Sequence, residues 1–250
     1  MLELLDHGAV RELRLARPPV NALDPALLVR LNEALGQAER EGVGAVVLSG
    51  APGRFSGGLD VPALLALPRP QIRQAWVALF DLLASLAHAP MPVVAALTGH
   101  SPAGGTVLAL YADYRVLAAG RYVVGLNEVQ VGLPVPPFLY RALTFVVGER
   151  QAARLGVAGL LLEADEALRV GLVDELAPVE EVVPRALAFA HDLLTRPRTA
   201  MLQTRAHARA PLREAFASVT PALIDGVVEQ WFSEETQTTL RKLVSRLGKG

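Results

Sequence analysis

Pro92-Val93-Val94-Ala95-Ala96-Leu97-Thr98-Gly99-His100-Ser101-Pro102-Ala103-Gly104-Gly105 is the stretch whose reading decides the fold. It opens on an all-apolar run, the pattern of a strand covered on both faces. It then enters a glycine-bearing loop, Gly99 to Gly105, and Leu108 to Ala112 continues as helix. The same order occurs upstream. Ala45-Val46-Val47-Leu48 is a second all-apolar strand, the loop Gly53 to Asp60 follows it, and Ile72, Trp76, Leu79, Leu83 and Leu86 mark a long helix. Buried strands that alternate with helices predict an α/β chain.

Outward from these segments, Leu2 to Leu5 and Ala9 to Leu15 alternate around Asp6-His7-Gly8 and predict a β-hairpin. Asp24-Pro25 reads as an N-cap and a first-turn proline, and apolar residues at helical spacing continue from Leu27 to Ala38 before Gly42. Arg115-Val116-Leu117 and Tyr122-Val123-Val124 read as short strands. From Phe138 onward the pattern is helical apart from one short strand expected near Val173. Thr195-Arg196-Pro197 divides a core, residues 1–195, from a helical region, 196–250. That region carries Leu202, Leu212, Phe216, Trp231, Phe232 and Leu240, apolar surface suited to packing on a neighbouring subunit.

Composition narrows the function classes. The chain has 250 residues, 52% of them hydrophobic, enough for a real core. It has no cysteine, so disulfides and thiolate metal sites are excluded. A net charge of -1 without a basic stripe speaks against a nucleic-acid partner. Met1-Leu2-Glu3-Leu4-Leu5-Asp6 lacks the basic start of a signal peptide, and no apolar run approaches the roughly 20 residues of a membrane span. A cytoplasmic protein without a membrane partner is the expectation. Lys242 and Lys249 are the only lysines, so a ligand phosphate would have to be met by arginine, backbone N–H groups or helix ends.

Two buried strands that each run into a glycine loop can aim backbone N–H groups at one spot. Two such groups converging on one oxygen form an oxyanion hole. A single loop of this kind reads more simply as a tight turn. Gly99-His100-Ser101 also invites comparison with the nucleophile elbow of α/β-hydrolases, with Asp174 and His191 or His207 completing a triad. Ala103 stands where that motif wants glycine, and Pro102, which follows the serine, has no N–H to offer an oxyanion. The hydrolase is therefore a distant alternative.

Arg17-Pro18-Pro19-Val20-Asn21-Ala22-Leu23, Phe55-Ser56-Gly57-Gly58-Leu59-Asp60, the run from Pro92 to Gly105, and Asp113 together resemble the crotonase, or enoyl-CoA hydratase/isomerase, superfamily over nearly the whole chain. Ser101-Pro102-Ala103-Gly104-Gly105, Asp113-Tyr114-Arg115, Gly125-Leu126-Asn127-Glu128 and Ala164 to Pro178 are most similar to its mitochondrial-type Δ3,Δ2-enoyl-CoA isomerase branch. The chain departs from that branch at Gly57, where alanine is usual, and at His100 and Ser101. The resemblance implies the crotonase fold, a spiral of ββα turns with a C-terminal helical region, and a homotrimer or dimer of trimers. It implies an acyl-CoA thioester as substrate and no metal or other cofactor, because coenzyme A arrives with the substrate.

It also implies the site residues. Leu59 and Gly104 would supply the oxyanion-hole N–H groups. Gly57, Gly58, Leu59, Asp60, Gly104 and Asn127 would line the acyl-CoA path. Hydratases of the family carry a glutamate where this chain has Val107; the second family glutamate is present as Glu128. A lone carboxylate holds and aims a water poorly, but it can take a proton from C2 and return it to C4. The expected activity is therefore the shift of 3-enoyl-CoA to 2-trans-enoyl-CoA in fatty acid β-oxidation. Other crotonase chemistry, such as hydration, or a non-enzymatic CoA-thioester-binding paralogue, are the alternatives. Trp76 and Trp231 read as core or subunit contacts, and His7, His88, His191 and His207 as surface or capping residues.

Overall fold

The computed structural model describes residues 1–247. Its strands are β1 (Leu2–His7), β2 (Val10–Leu15), β3 (Ala45–Ser49), β4 (Gly53–Arg54), β5 (Val93–Leu97), β6 (Gly99–Pro102), β7 (Tyr114–Ala118), β8 (Val123–Gly125), β9 (Leu162–Glu163) and β10 (Glu175–Ala177). Its helices are α1 (Pro25–Arg40), α2 (Val61–Leu65), α3 (Arg69–His88), α4 (Gly104–Leu110), α5 (Pro137–Ala158), α6 (Ala164–Arg169), α7 (Val182–Leu194), α8 (Arg198–Ala208), α9 (Ala210–Ala215), α10 (Pro221–Trp231) and α11 (Glu234–Leu247).

The strands form a six-stranded sheet in the order β1-β2-β3-β5-β7-β10 and a four-stranded sheet in the order β4-β6-β8-β9. The expected hairpin is the antiparallel pair β1–β2; every other pairing in the large sheet is parallel. Three inner strands of the large sheet pass directly to a strand of the small one and then toward a helix: β3 to β4, β5 to β6, β7 to β8. These are the ββα turns of a spiral.

The all-apolar runs serve two cores at once. Val46, Leu48, Val93, Ala95 and Leu97 pack with α1 and α3, while Ala45, Val47, Val94 and Ala96 pack with Val182, Ala186 and Ala190 of α7. Side chains that alternate at period two between two covered faces explain why no polar residue interrupts these strands. Helix α1 starts as expected, with the Asp24 carboxylate accepting from the Leu27 N–H at 2.8 Å.

Several expectations need correction. The second glycine loop is shorter than predicted: Gly99–Pro102 is strand β6, and the following helix already begins at Gly104 and ends at Leu110. Gly99 permits this, because a Cβ there would lie 1.9 Å from the Gly53 carbonyl carbon on β4. The strand expected near Val173 is Glu175–Ala177; Val173 itself is buried behind α6. Strand β9 had no counterpart in the reading of the chain. The proposed division at Thr195 to Pro197 coincides with the connection between α7 and α8. Beyond it, Leu212, Trp231 and Leu240 are buried within this chain. Helix α8 is held to the core by Asp113, which receives hydrogen bonds from Arg205 and Arg209.

Candidate functional site

The first glycine loop is strapped by the segment before α1. Asn21 adopts φ 51° and is buried. Its side chain accepts from the Arg17 N–H and donates to the Phe55 carbonyl, and its own carbonyl accepts from the Ser56 hydroxyl. Backbone bonds from Gly57 to Val20 and from Leu23 to Gly58 complete the strap. A methyl at Gly57 would meet the Val20 side chain at 3.1 Å, so Val20 occupies the room that an alanine would need. Asp60 caps α2 by accepting from the Ala63 N–H and also pairs with Arg17 at 2.6 Å.

The second loop turns at Ala103, whose φ of 48° and ψ of −118° are unusual for a residue with a Cβ. Its N–H donates to the Gly125 carbonyl and its carbonyl accepts from the Val107 N–H. The Thr106 hydroxyl accepts from the Gly125 N–H at 2.7 Å and donates to the Ser101 carbonyl. These bonds hook the third segment, Gly125 to Glu128, onto the second loop. The two glycine loops touch at Gly58 and Gly104: a Cβ on Gly58, at φ 87°, would lie 3.2 Å from the Gly104 nitrogen. Neither the Leu59 nor the Gly104 N–H donates to a protein acceptor among the described residues.

A cavity of about 530 Å³ opens at this junction. Gly57, Leu59, Asp60, Gly104, Asn127 and Glu128 all border it, as does Val107; Gly58 is buried behind them. Leu79, Phe80, Leu83, Phe138 and Leu139 form an apolar wall, and Arg17 stands among the lining residues. Trp76 and Trp231, 6.1 Å apart edge to face, pack in a buried core cluster as expected and border the cavity as well. Helical periodicity marks a residue as buried but does not say against which space.

Glu128 is partly covered as a residue, yet its carboxyl end is the covered part. Oε2 is out of solvent and has no hydrogen-bond partner. Burial raises this carboxyl to about 7, opposed only by a hydrogen bond with its own backbone. A carboxyl poised there exchanges protons in either direction near neutrality, and free N–H groups can receive an oxygen that gains negative charge. Among the described residues, no cluster of three His, Asp or Glu side chains could hold a metal ion.

Residues 6–242 match the family described as enoyl-CoA hydratase/isomerase. The chain belongs to that family. This hydratase/isomerase relative is 33% identical to human enoyl-CoA delta isomerase 1, mitochondrial, over 97% of its own length and 82% of the human protein. It is 34% identical to a probable enoyl-CoA hydratase of Mycobacterium avium, over 78% of its length and 76% of that protein. The crystal structure of human mitochondrial delta3-delta2-enoyl-CoA isomerase superposes with a TM-score of 0.94 at 32% identity, covering 99% of this chain and 98% of that one. The architecture is the crotonase fold with C-terminal helices.

The hydrolase alternative finds no geometry in this family member. Ser101 is fully buried, and its hydroxyl donates to the Gly99 carbonyl. Asp174 is engaged by Arg115, and His191 and His207 are exposed on α7 and α8. His100 is exposed and accepts from the Val123 N–H. Neither His100 nor Ser101 borders the cavity. Ser101→Ala is expected to leave acyl-CoA turnover unchanged and to cost about 1 kcal/mol of stability through one lost hydrogen bond. Labelling of Ser101 by a fluorophosphonate probe, with loss of an ester hydrolysis in the variant, would reverse this.

Proposed function

We propose that this enzyme of the hydratase/isomerase family is a Δ3,Δ2-enoyl-CoA isomerase, acting on acyl-CoA thioesters in fatty acid β-oxidation. The observation that carries the proposal is Glu128, whose Oε2 is buried without a partner at a cavity that Val107 of α4 also lines and whose other carboxyl, Asp60, is paired with Arg17. The thioester oxygen is received by the N–H groups of Leu59 and Gly104. Gly57, Gly58, Asp60 and Asn127 flank the path of the thioester and the pantetheine arm. Glu128 removes a proton from C2, which the thioester acidifies. The electron pair of that bond becomes the C1=C2 bond of a dienolate while the carbonyl pair moves onto the oxygen, whose negative charge the two donors receive; when the carbonyl re-forms, the C1=C2 pair becomes the new C2=C3 bond. The protonated Glu128 delivers the same proton to C4 as the C3=C4 pair moves. No water enters, no group is consumed, and coenzyme A leaves with the product.

An apolar cavity serves this chemistry in two ways. It keeps Glu128 basic enough to take a carbon-bound proton, and it denies the dienolate a stray water. We assign the assembly as a homotrimer or a pair of trimers.

The deciding assay offers purified protein 3-enoyl-CoA and 2-enoyl-CoA separately and identifies each product. Conversion of the first to the conjugated 2-trans isomer, with no hydration of the second, is the expected result. Rapid hydration of 2-enoyl-CoA without isomerisation would replace this proposal with the hydratase reading. Because the base acts as carboxylate, kcat/KM for isomerisation is expected to rise about tenfold per pH unit below about 7 and to level off above it. A flat profile from about pH 5 to about pH 8 would remove Glu128 as the base.

A further inference from the structure

Glu128 occupies the first position of a four-residue 3-10 turn, Glu128–Val131, closed by Gly132 at φ 77°. The turn's internal bonds are few: Gly132 N–H donates to the Val129 carbonyl at 3.2 Å, and Leu133 N–H to the Glu128 carbonyl at 3.0 Å. A turn this short does not hold its own geometry. What it is tied to therefore decides where the Glu128 carboxyl sits.

One tie is from within the turn, the Gln130 side-chain amide donating to the Gly159 carbonyl at 2.7 Å; the tie on the residue that closes it comes from the C-terminal helices. The Gly132 carbonyl accepts from the Thr236 hydroxyl at 2.7 Å and from the Gln230 side-chain amide at 3.0 Å. The Ser233 hydroxyl donates to Thr236 Oγ1 at 3.0 Å and also accepts from the Thr236 N–H. Thr236 is fully buried, an environment that a hydroxyl tolerates only when it is bonded. The approach is close: a Cβ on Gly132 would lie 3.1 Å from both Thr236 Cα and Oγ1. Thr236 does not border the cavity, whereas Gln230, Leu240 and Leu243 of the same helices do.

We propose that Thr236, seconded by Gln230, is a positioning residue that fixes Glu128 over the substrate by clamping the Gly132 carbonyl. The proposal rests on the isomerase reading above. A proton carrier that serves two carbons of one chain has to be held within a fraction of an ångström, and a carboxyl on a loosened turn is not.

The experiment measures 3-enoyl-CoA isomerisation by wild type, Thr236→Val, Thr236→Ser and Gln230→Met, with far-UV circular dichroism as a check of folding. Thr236→Val keeps shape and loses the donor. It is expected to lower kcat by about tenfold to a hundredfold with KM nearly unchanged. Thr236→Ser keeps the hydroxyl and is expected to recover most of kcat. In a Glu128→Gln background the Thr236→Val change is expected to have little further effect on kcat, because it acts through Glu128. A folded Thr236→Val protein with wild-type kcat overturns the proposal, as does an equal loss in both backgrounds. If Thr236→Val does not fold, Gln230→Met decides: reduced kcat supports the clamp, and unchanged kcat overturns it. A wild-type protein without isomerase turnover would instead condemn the functional reading itself, so the two failures are distinct.

Discussion

Glu128→Gln is expected to lower isomerase turnover by about a hundredfold to ten-thousandfold while leaving CoA-ester binding nearly intact, because the amide has the same size and cannot accept the C2 proton. The same variant carries a stability signature. In the folded protein the carboxyl is raised from its ordinary 4.5 to about 7 by burial, so the native state holds this proton more tightly than the unfolded chain does. The resulting stabilisation is complete below the unfolded value and is lost as pH rises through about 7. A shift of this size corresponds to something on the order of 3 kcal/mol. Glutamine does not titrate. The melting temperature of Glu128→Gln is therefore expected to gain on the wild type as pH rises from about 5 to about 8, leaving the inactive protein relatively more stable in alkali. Full activity would end the assignment of Glu128 as base. A melting-temperature difference that ignores pH would end the claim that its carboxyl is held near neutrality by burial.

Val107→Glu is expected to be the most costly single change to the cavity wall. Val107 is 3% exposed and shares the cavity with Glu128. A second carboxyl there has to remain protonated or bring an unpaired charge into an apolar space, at a cost of about 2–4 kcal/mol. For a chain of this size that lowers the melting temperature by about 5–15 °C. Isomerisation should weaken, since Glu128 then shares its proton affinity with a neighbour. Hydration of 2-enoyl-CoA should rise only slightly, because a water held between two carboxyls also needs surrounding groups to aim it. Product analysis with both substrates, alongside a melting curve, checks each part. A variant that hydrates rapidly at undiminished stability would show that the cavity already supports water chemistry and that Val107 alone withheld it.

The large sheet was legible because β3 and β5 are unbroken apolar runs, which strands covered on both faces require. The Asp24 cap and the first hairpin were legible for equally local reasons. Of the small sheet only β8 was, read as Tyr122-Val123-Val124. Gly53–Arg54 and Gly99–Pro102 are too short to show alternation, and close backbone approach, rather than any side chain, makes them strands. Val173 looked more strand-like than Glu175 or Ala177 because register beside β7 is a tertiary fact.

Glu128 could be singled out only through resemblance. Its surroundings come from α3, α4, α5 and α10, and no local window contains them. Val107 read as a missing carboxylate, and its place on the cavity wall is compatible with that. Trp231 and Gln230 were missed as cavity residues, and Thr236 as the partner of Gly132. A buried threonine on a helix otherwise charged in its first turn is the one signal that could have pointed to it.

The cavity draws its walls from Arg17 near one end of the described chain and from Leu243 near the other. This has a consequence for the order in which the protein is made. A nascent chain that has left the ribosome only through Thr195 carries both glycine loops and Glu128, but none of Val227, Trp231, Leu240 or Leu243 that wall the same space. Until α10 and α11 emerge, the apolar groove faces water and the turn bearing the carboxyl keeps its Gln130–Gly159 bond but lacks the Thr236 and Gln230 donors to Gly132. Competence therefore arrives late in synthesis, and a chain cut short in this region presents an open greasy trough to chaperones and proteases instead of a partial enzyme.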